Sequence, residues 1–211
     1  MNWAKWLRKN YIDEFNFWNT YFPDCGLINI NGHDYNKIEP TDLRHLKIAR
    51  TFQDGRLIDQ LSVVDNLILG IAKTNIFDSL IETNTNAYAD RIEQTLKKIH
   101  LGAYRNINAE NLSYGQRKLL ELGRAIIQDA DIYLLDEPFT GLFPAMIEQV
   151  MNLILELKHA DKTIVIIEHN MGLIKQLSDY TIVLNHGKLL ASDTTNKVLA
   201  DKNVQQAYLG V

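Results

Sequence analysis

The 211 residues suffice for one well-packed domain, or for a core with a small subdomain, and 46% hydrophobic residues excludes disorder as the default state. With 22 basic against 26 acidic residues the formal net charge is −4, so no global basic field points to a nucleic-acid partner. Cys25 is the only cysteine, which excludes an internal disulfide framework and a cysteine-built zinc site and fits a reducing cytosol.

The N-terminus, MNWAKWLRKNYIDEFNFW, carries charges where a signal peptide would have a continuous apolar stretch, so secretion is not expected. The segments SVVDNLILGIAK and AYADRIEQTLKKIHLG have helical periodicity, and the polar stretch TNIFDSLIETNTN between them reads as a loop. Residues from about 56 to 110 are expected to form a helical subdomain inserted into a sheet domain. A run of helix formers, RKLLELGRAIIQ, then follows Leu112-Ser113-Tyr114-Gly115-Gln116. Next come two apolar, β-rich runs, DIYLLD (131 to 136) and TIVIIE (163 to 168), with an amphipathic helix between them. Pro144 suits its first position, and Ile147, Val150, Met151 and Ile154 make one buried stripe. That is a βαβ unit of parallel strands covered on both faces, and hence a doubly wound α/β sheet. YTIVLNHGKLLAS (180 to 192) reads as two strands around an Asn-His-Gly turn, and a helical tail runs from about Thr195 to Ala200. The apolar runs are far shorter than the ~20 residues a membrane helix needs, so any membrane role comes through a partner.

Two stretches carry chemistry. In DIYLLDEP the strand ends on Asp136 and Glu137 before Pro138. Adjacent strand residues point to opposite faces, so the two acids have different tasks unless the strand has just ended. An Asp delivered by a hydrophobic strand can serve Mg²⁺ in the Walker B arrangement, and a following Glu can act as general base toward the water that attacks a γ-phosphate. Some twenty residues earlier, Ser113 and Gly115 stand at a helix start, where unpaired N–H groups and the positive end of the dipole favour an anion.

Together these stretches resemble the nucleotide-binding subunit of ATP-binding cassette (ABC) transporters, a P-loop NTPase fold with an inserted helical subdomain. LSYGQ matches the family's signature motif and IYLLDEP its Walker B, while Gln53 in RTFQ matches the Q-loop. Gly141 and Leu142 match the D-loop region, and His169 in IVIIEHN the switch histidine. The likeness spans about residues 19 to 211 and is strongest to the ATPases of branched-chain amino acid importers and their amide and urea relatives. The resemblance implies ATP and Mg²⁺ as cofactors, with Asp136 and Gln53 toward the metal, Glu137 and His169 catalytic, and Leu112, Ser113, Tyr114, Gly115, Gln116 and Gln53 binding nucleotide. It further implies a second ATPase subunit, identical or different, with two nucleotides sandwiched between the pair. Membrane permease subunits, a substrate-binding protein reached indirectly and a peripheral position on the cytoplasmic face of the plasma membrane follow likewise.

The chain departs from the family where its phosphate loop is expected. No G-x-x-x-x-G-K-[ST] occurs, and NWAKWLRKNYIDEFNFWN stands in its place, without the glycines and the lysine-hydroxyl pair that cradle phosphates. The upstream aromatic residue that stacks on adenine and the first sheet strands have no counterpart either. All three tryptophans, Trp3, Trp6 and Trp18, fall here. Their codon TGG, read one base later, encodes glycine, and back-translating Asn2 to Trp18 in that frame permits I-G-P-N-G-S-G-K-T-T-L-M-N-L-I-F-G, a complete phosphate loop. Residues 1 to about 20 therefore read as an aberrant, frame-shifted segment, and the polypeptide as written is expected to bind ATP poorly. Tyr114 replaces a common signature glycine, and Phe143 stands where many members carry Asp or Asn. Two further readings remain: a non-hydrolysing partner whose LSYGQ completes another subunit's site, or an inactive fragment.

Overall fold

The computed structural model describes residues 26–39, 41–51, 56–71 and 85–209. In chain order the elements are β1 (Ile28–Ile30), β2 (His33–Tyr35), α1 (Asp42–His45), β3 (Ile48–Arg50), α2 (Val63–Ile71) and α3 (Thr85–Lys98). Short 3₁₀ turns at Gly102–Tyr104 and Ala109–Asn111 lead to α4 (Tyr114–Ile126), β4 (Ile132–Asp136), α5 (Pro144–His159) and β5 (Thr163–Ile167). The chain closes with α6 (Met171–Leu177), β6 (Tyr180–Asn185), β7 (Lys188–Thr194), α7 (Thr195–Ala200) and α8 (Lys202–Leu209). The chain divides into two compact units, one of Lys47–Glu168 and one of Met1–Leu46 with His169–Val211.

The first unit holds a parallel three-stranded sheet in the order β3-β4-β5, with Ile48 opposite Ile132 and Asp136 opposite Ile167. The expected βαβ crossover is present, and Pro144 opens α5 without needing the N–H it lacks. The buried stripe of α5 is Val150, Leu153, Ile154 and Leu157, whereas Ile147 and Met151 of the expected stripe are half-buried at its edge. The parallel α/β sheet is as expected, and one detail of its covering differs. β4 is largely buried, but Val165 and Ile167 of β5 are 37% and 40% exposed while Ile164 and Ile166 are half-buried. The alternation of strand side chains separates a covered from an open face, and an unbroken apolar run cannot reveal which face has a cover.

The helical segment lies in this same unit. α2 packs against α3 and α4, burying Val63, Leu67, Leu96, Leu119 and Leu120. The approach is close because of two glycines: a Cβ on Gly70 would stand 2.9 Å from the Arg124 carbonyl oxygen, and one on Gly123 would stand 2.8 Å from Ile99 Cδ1. Asn66, fully buried, accepts from the Ile58 amide at 3.0 Å and shares its own amide among the carbonyls of Ile58, Leu61 and Ser62, which fixes the turn entering α2. The α3 helix starts at Thr85, inside the stretch read as loop, since short polar residues suit a helix start as well as a turn. The remainder of that loop lies outside the described residues.

The second unit contains two antiparallel hairpins, β1-β2 and β6-β7. Each turns through a pair with positive φ, Asn31-Gly32 (52° and 85°) and His186-Gly187 (47° and 70°), as tight two-residue connections require. The second turn is one residue shorter than expected, because Asn185 still pairs with Lys188. Val183, Val198 and Val204 pack together to join the β6-β7 hairpin to α7 and α8. No helix of the described residues is long and apolar enough to cross a membrane.

Candidate functional site

The start of α4 is built by a capping box. Ser113, in extended conformation, accepts from the Gln116 amide at 3.3 Å, and the Gln116 side chain accepts from the Ser113 amide at 2.9 Å. Leu112 is buried and anchors the approach, while Tyr114 is 52% exposed. Gly115 has a packing use that its sequence position did not reveal: a Cβ there would meet Met146 Cε of α5 at 2.8 Å. Arg117 braces the same turn, donating to the Ala109 carbonyl at 2.8 Å and to Asp59 at 2.6 Å.

The end of β4 is held from both neighbouring strands. The Asp136 amide donates to the Thr51 hydroxyl at 3.2 Å, the Thr51 amide donates to the Leu134 carbonyl at 3.0 Å, and the Glu137 amide donates to the Ile167 carbonyl at 3.0 Å. The strand stops at Asp136, and Glu137 takes a left-handed φ of 43°, so the two carboxylates escape strict alternation. Burial raises the Asp136 carboxyl above its usual range; Arg50, whose Nη2 lies 3.9 Å away, opposes this, and neighbouring Glu137 reinforces it. Burial likewise lowers Arg50, so desolvation outweighs mutual attraction for both partners. Beneath them, Lys118 and Glu121 of α4 form a buried pair at 3.4 Å around a small void with Thr51, Leu122, Pro138 and Val150.

Beyond Glu137 the chain folds back. The Thr140 hydroxyl donates to Glu137 Oε2 at 3.0 Å, and the Tyr114 phenol donates to the Thr140 carbonyl at 3.1 Å. Gly141, at φ 74°, leaves room for the Tyr114 ring, since a Cβ would lie 2.9 Å from Cε1. Leu142 is half-buried, and Phe143 caps α5 with its ring 80% exposed.

Leu112, Ser113, Tyr114, Gly115, Gln116, Asp136, Glu137, Gly141 and Leu142 thus belong to one compact unit, and the two loops touch through Tyr114. His169 is exposed, follows β5 by two residues and opens the other unit. Gln53 and the N-terminal segment lie outside the described residues. Sequence reasoning missed Arg50, Thr51, Lys118, Glu121 and Thr140. Lys118 and Glu121, at i and i+3, carried a faint signal as a pair on the buried face of a helix; the others depend on contacts between distant elements.

The donor chemistry at Asp136 suits Mg²⁺, a hard ion that takes one or two carboxylates and completes its shell with water and phosphate oxygens. Among the described residues no group of three or more His, Cys, Asp or Glu is arranged around a common metal position.

Residues 17–140 match the ABC transporter family. The chain is 33% identical to the high-affinity branched-chain amino acid transport ATP-binding protein LivG of Salmonella typhimurium, over 90% of this chain and 78% of that protein. It is 31% identical to the corresponding BraF protein of Pseudomonas aeruginosa over the same shares. Among solved structures it is similar to a nucleotide-free ATP-binding cassette from an ABC transporter, with a TM-score of 0.75 and 28% identity over 89% of this chain and 78% of that one. An ATP-binding cassette in its ADP conformation gives 0.74 and 28% over the same shares.

Proposed function

Because this chain belongs to the ABC transporter family as an ATP-binding subunit, we propose that it couples ATP to an importer of branched-chain amino acids or related amides. The observation that carries the reading is the juxtaposition in one unit of a capped, outward helix start at Ser113–Gln116 with a strand end bearing Asp136 and Glu137. The solute class rests on what LivG and BraF are named for.

In this reading the Ser113 turn is offered to the γ-phosphate of a nucleotide held mainly by a second ATPase subunit. Asp136 supplies the carboxylate for the metal, and Glu137 accepts the proton of the attacking water. His169 steadies the γ-phosphate, and Gln53 links the site to the membrane permease. Mg²⁺, when bound, neutralises charge developing on the phosphate oxygens. Asp136 meets it only when ionised, so its raised proton affinity sets proton and metal in competition. The subunit sits peripherally on the cytoplasmic face, held by the permease, and the substrate-binding protein acts on it only through that permease.

Its own nucleotide site is impaired, since the sequence provides no phosphate loop, and the frame-shift reading of residues 1 to about 20 explains how that arose. Codons that cannot encode a phosphate loop in the shifted frame would sink that origin. The capped Ser113 turn favours a surviving role even so: completing the site of an intact ATPase partner. The experiment is reconstitution with branched-chain importer permeases and an intact ATPase subunit. The expected result is ATP hydrolysis by the mixed complex that Ser113→Arg in this chain abolishes. A chain that neither joins the complex nor alters its hydrolysis contradicts the reading.

A further inference from the structure

Tyr114 and Glu137 belong to different motifs, 23 residues apart, yet a single residue joins them. Thr140 gives its one hydroxyl proton to Glu137 Oε2 at 3.0 Å, and its carbonyl receives the Tyr114 phenol proton at 3.1 Å. The Thr140 amide closes the turn by donating to the Glu137 carbonyl at 3.3 Å, and the Leu142 amide donates to the Phe139 carbonyl at 3.2 Å. The Tyr114 ring fills the space that a side chain on Gly141 would occupy.

We propose that Tyr114 is a positioning residue for Glu137, acting through Thr140. This rests on the reading of Glu137 as the group that receives the proton of the attacking water. A left-handed backbone at a non-glycine residue is sparsely populated and persists only where neighbours hold it. Thr140 is such a neighbour, fixing both the carbonyl and a carboxylate oxygen of Glu137, and Tyr114 fixes Thr140 in turn. Tyr114 also stands in the turn that faces the partner's nucleotide in the proposed complex. Displacement of that turn by the partner's γ-phosphate therefore pulls on the Thr140 carbonyl and re-aims this chain's own carboxylate. The substitution of tyrosine for the common glycine thus gives the signature turn a hydroxyl with which to reach the loop after β4.

The test uses the full nucleotide-free chain and Tyr114→Phe, which keeps the ring beside Gly141 and removes only the donated bond. A single hydrogen bond changes an opening equilibrium about 2- to 10-fold. Amide exchange followed by NMR should accelerate by about that factor at Thr140 and Leu142, with the α5 amides from Val150 to Leu157 unchanged. Unchanged exchange at Thr140 and Leu142 overturns the proposal, whatever the chain does with ATP. A second arm uses the chain carrying a restored phosphate loop. Thr140→Val should lower kcat with KM for ATP unmoved, Thr140→Ser should restore it, and Tyr114→Phe should cost less when added to Thr140→Val than it costs alone. Losses that multiply in the double variant contradict a shared path. A restored chain that hydrolyses nothing removes the reading of Glu137, while the exchange arm still decides whether Tyr114 and Thr140 are linked.

Discussion

At the start of α4, Ser113 and Gln116 satisfy each other's backbone amides and Leu112 is buried, so the helix start is capped locally. At the end of β4 the local terms are unfavourable. Asp136 is partly desolvated, Glu137 has a left-handed backbone, and Thr51, Ile167 and Thr140 must hold the segment in place. The helix start is capped by residues three positions apart in sequence. The strand end carries a residue with left-handed backbone and depends on the unit around it.

The largest expected effect removes the chemistry from the strand end alone. Glu137→Gln, in a chain with its phosphate loop restored, should lower the steady-state rate of phosphate release by about 10²- to 10⁴-fold, with thermal stability unchanged. A loss of only a few fold would place the proton acceptor elsewhere. Next, Gly141→Val puts a β-branched side chain at φ 74° and against the Tyr114 ring, and should cost about 1–3 kcal/mol in urea unfolding. Stability equal to the parent chain would mean that the two loops do not depend on this contact.

Ser113→Ala tests the capped helix start. It deletes the acceptor for the Gln116 amide and should cost about 0.5–2 kcal/mol in the same assay, with Ser113→Gly costing only a few tenths. The smallest effect is a slope. The Asp136 carboxyl is raised above its unfolded value of about 3.9, so its stabilising contribution is complete below that value and is lost as pH rises through the folded-state pKa. Subtracting the urea stability of Asp136→Asn from that of the parent, across about pH 4 to 7, should show a difference that falls toward higher pH. A difference rising with pH would mean that Arg50, not burial, dominates the carboxyl.

Much of this was legible where local pattern and tertiary structure agree. Pro144 and the apolar spacing behind it gave α5, the Asn-His-Gly turn gave the β6-β7 hairpin, and Ser113 and Gly115 ahead of a run of helix formers gave the start of α4. The open face of β5 was illegible, because Val165 and Ile167 look in sequence like Ile164 and Ile166. The packing use of Gly115 was illegible too, because its missing side chain makes room for Met146, 31 positions away. Arg50 beside Asp136, and Thr140 between Tyr114 and Glu137, exist as partners only once distant elements pack, so no spacing rule could announce them.

The most direct test of the central claim, an intact signature turn beside a nucleotide site without its cradle, is equilibrium binding of a fluorescent ATP analogue with Mg²⁺. The purified chain is compared with a version carrying a reconstructed phosphate loop. The expected result is binding by the restored version alone. Micromolar binding by the unmodified chain would contradict the claim, because residues other than a glycine-rich loop would then be holding the phosphates.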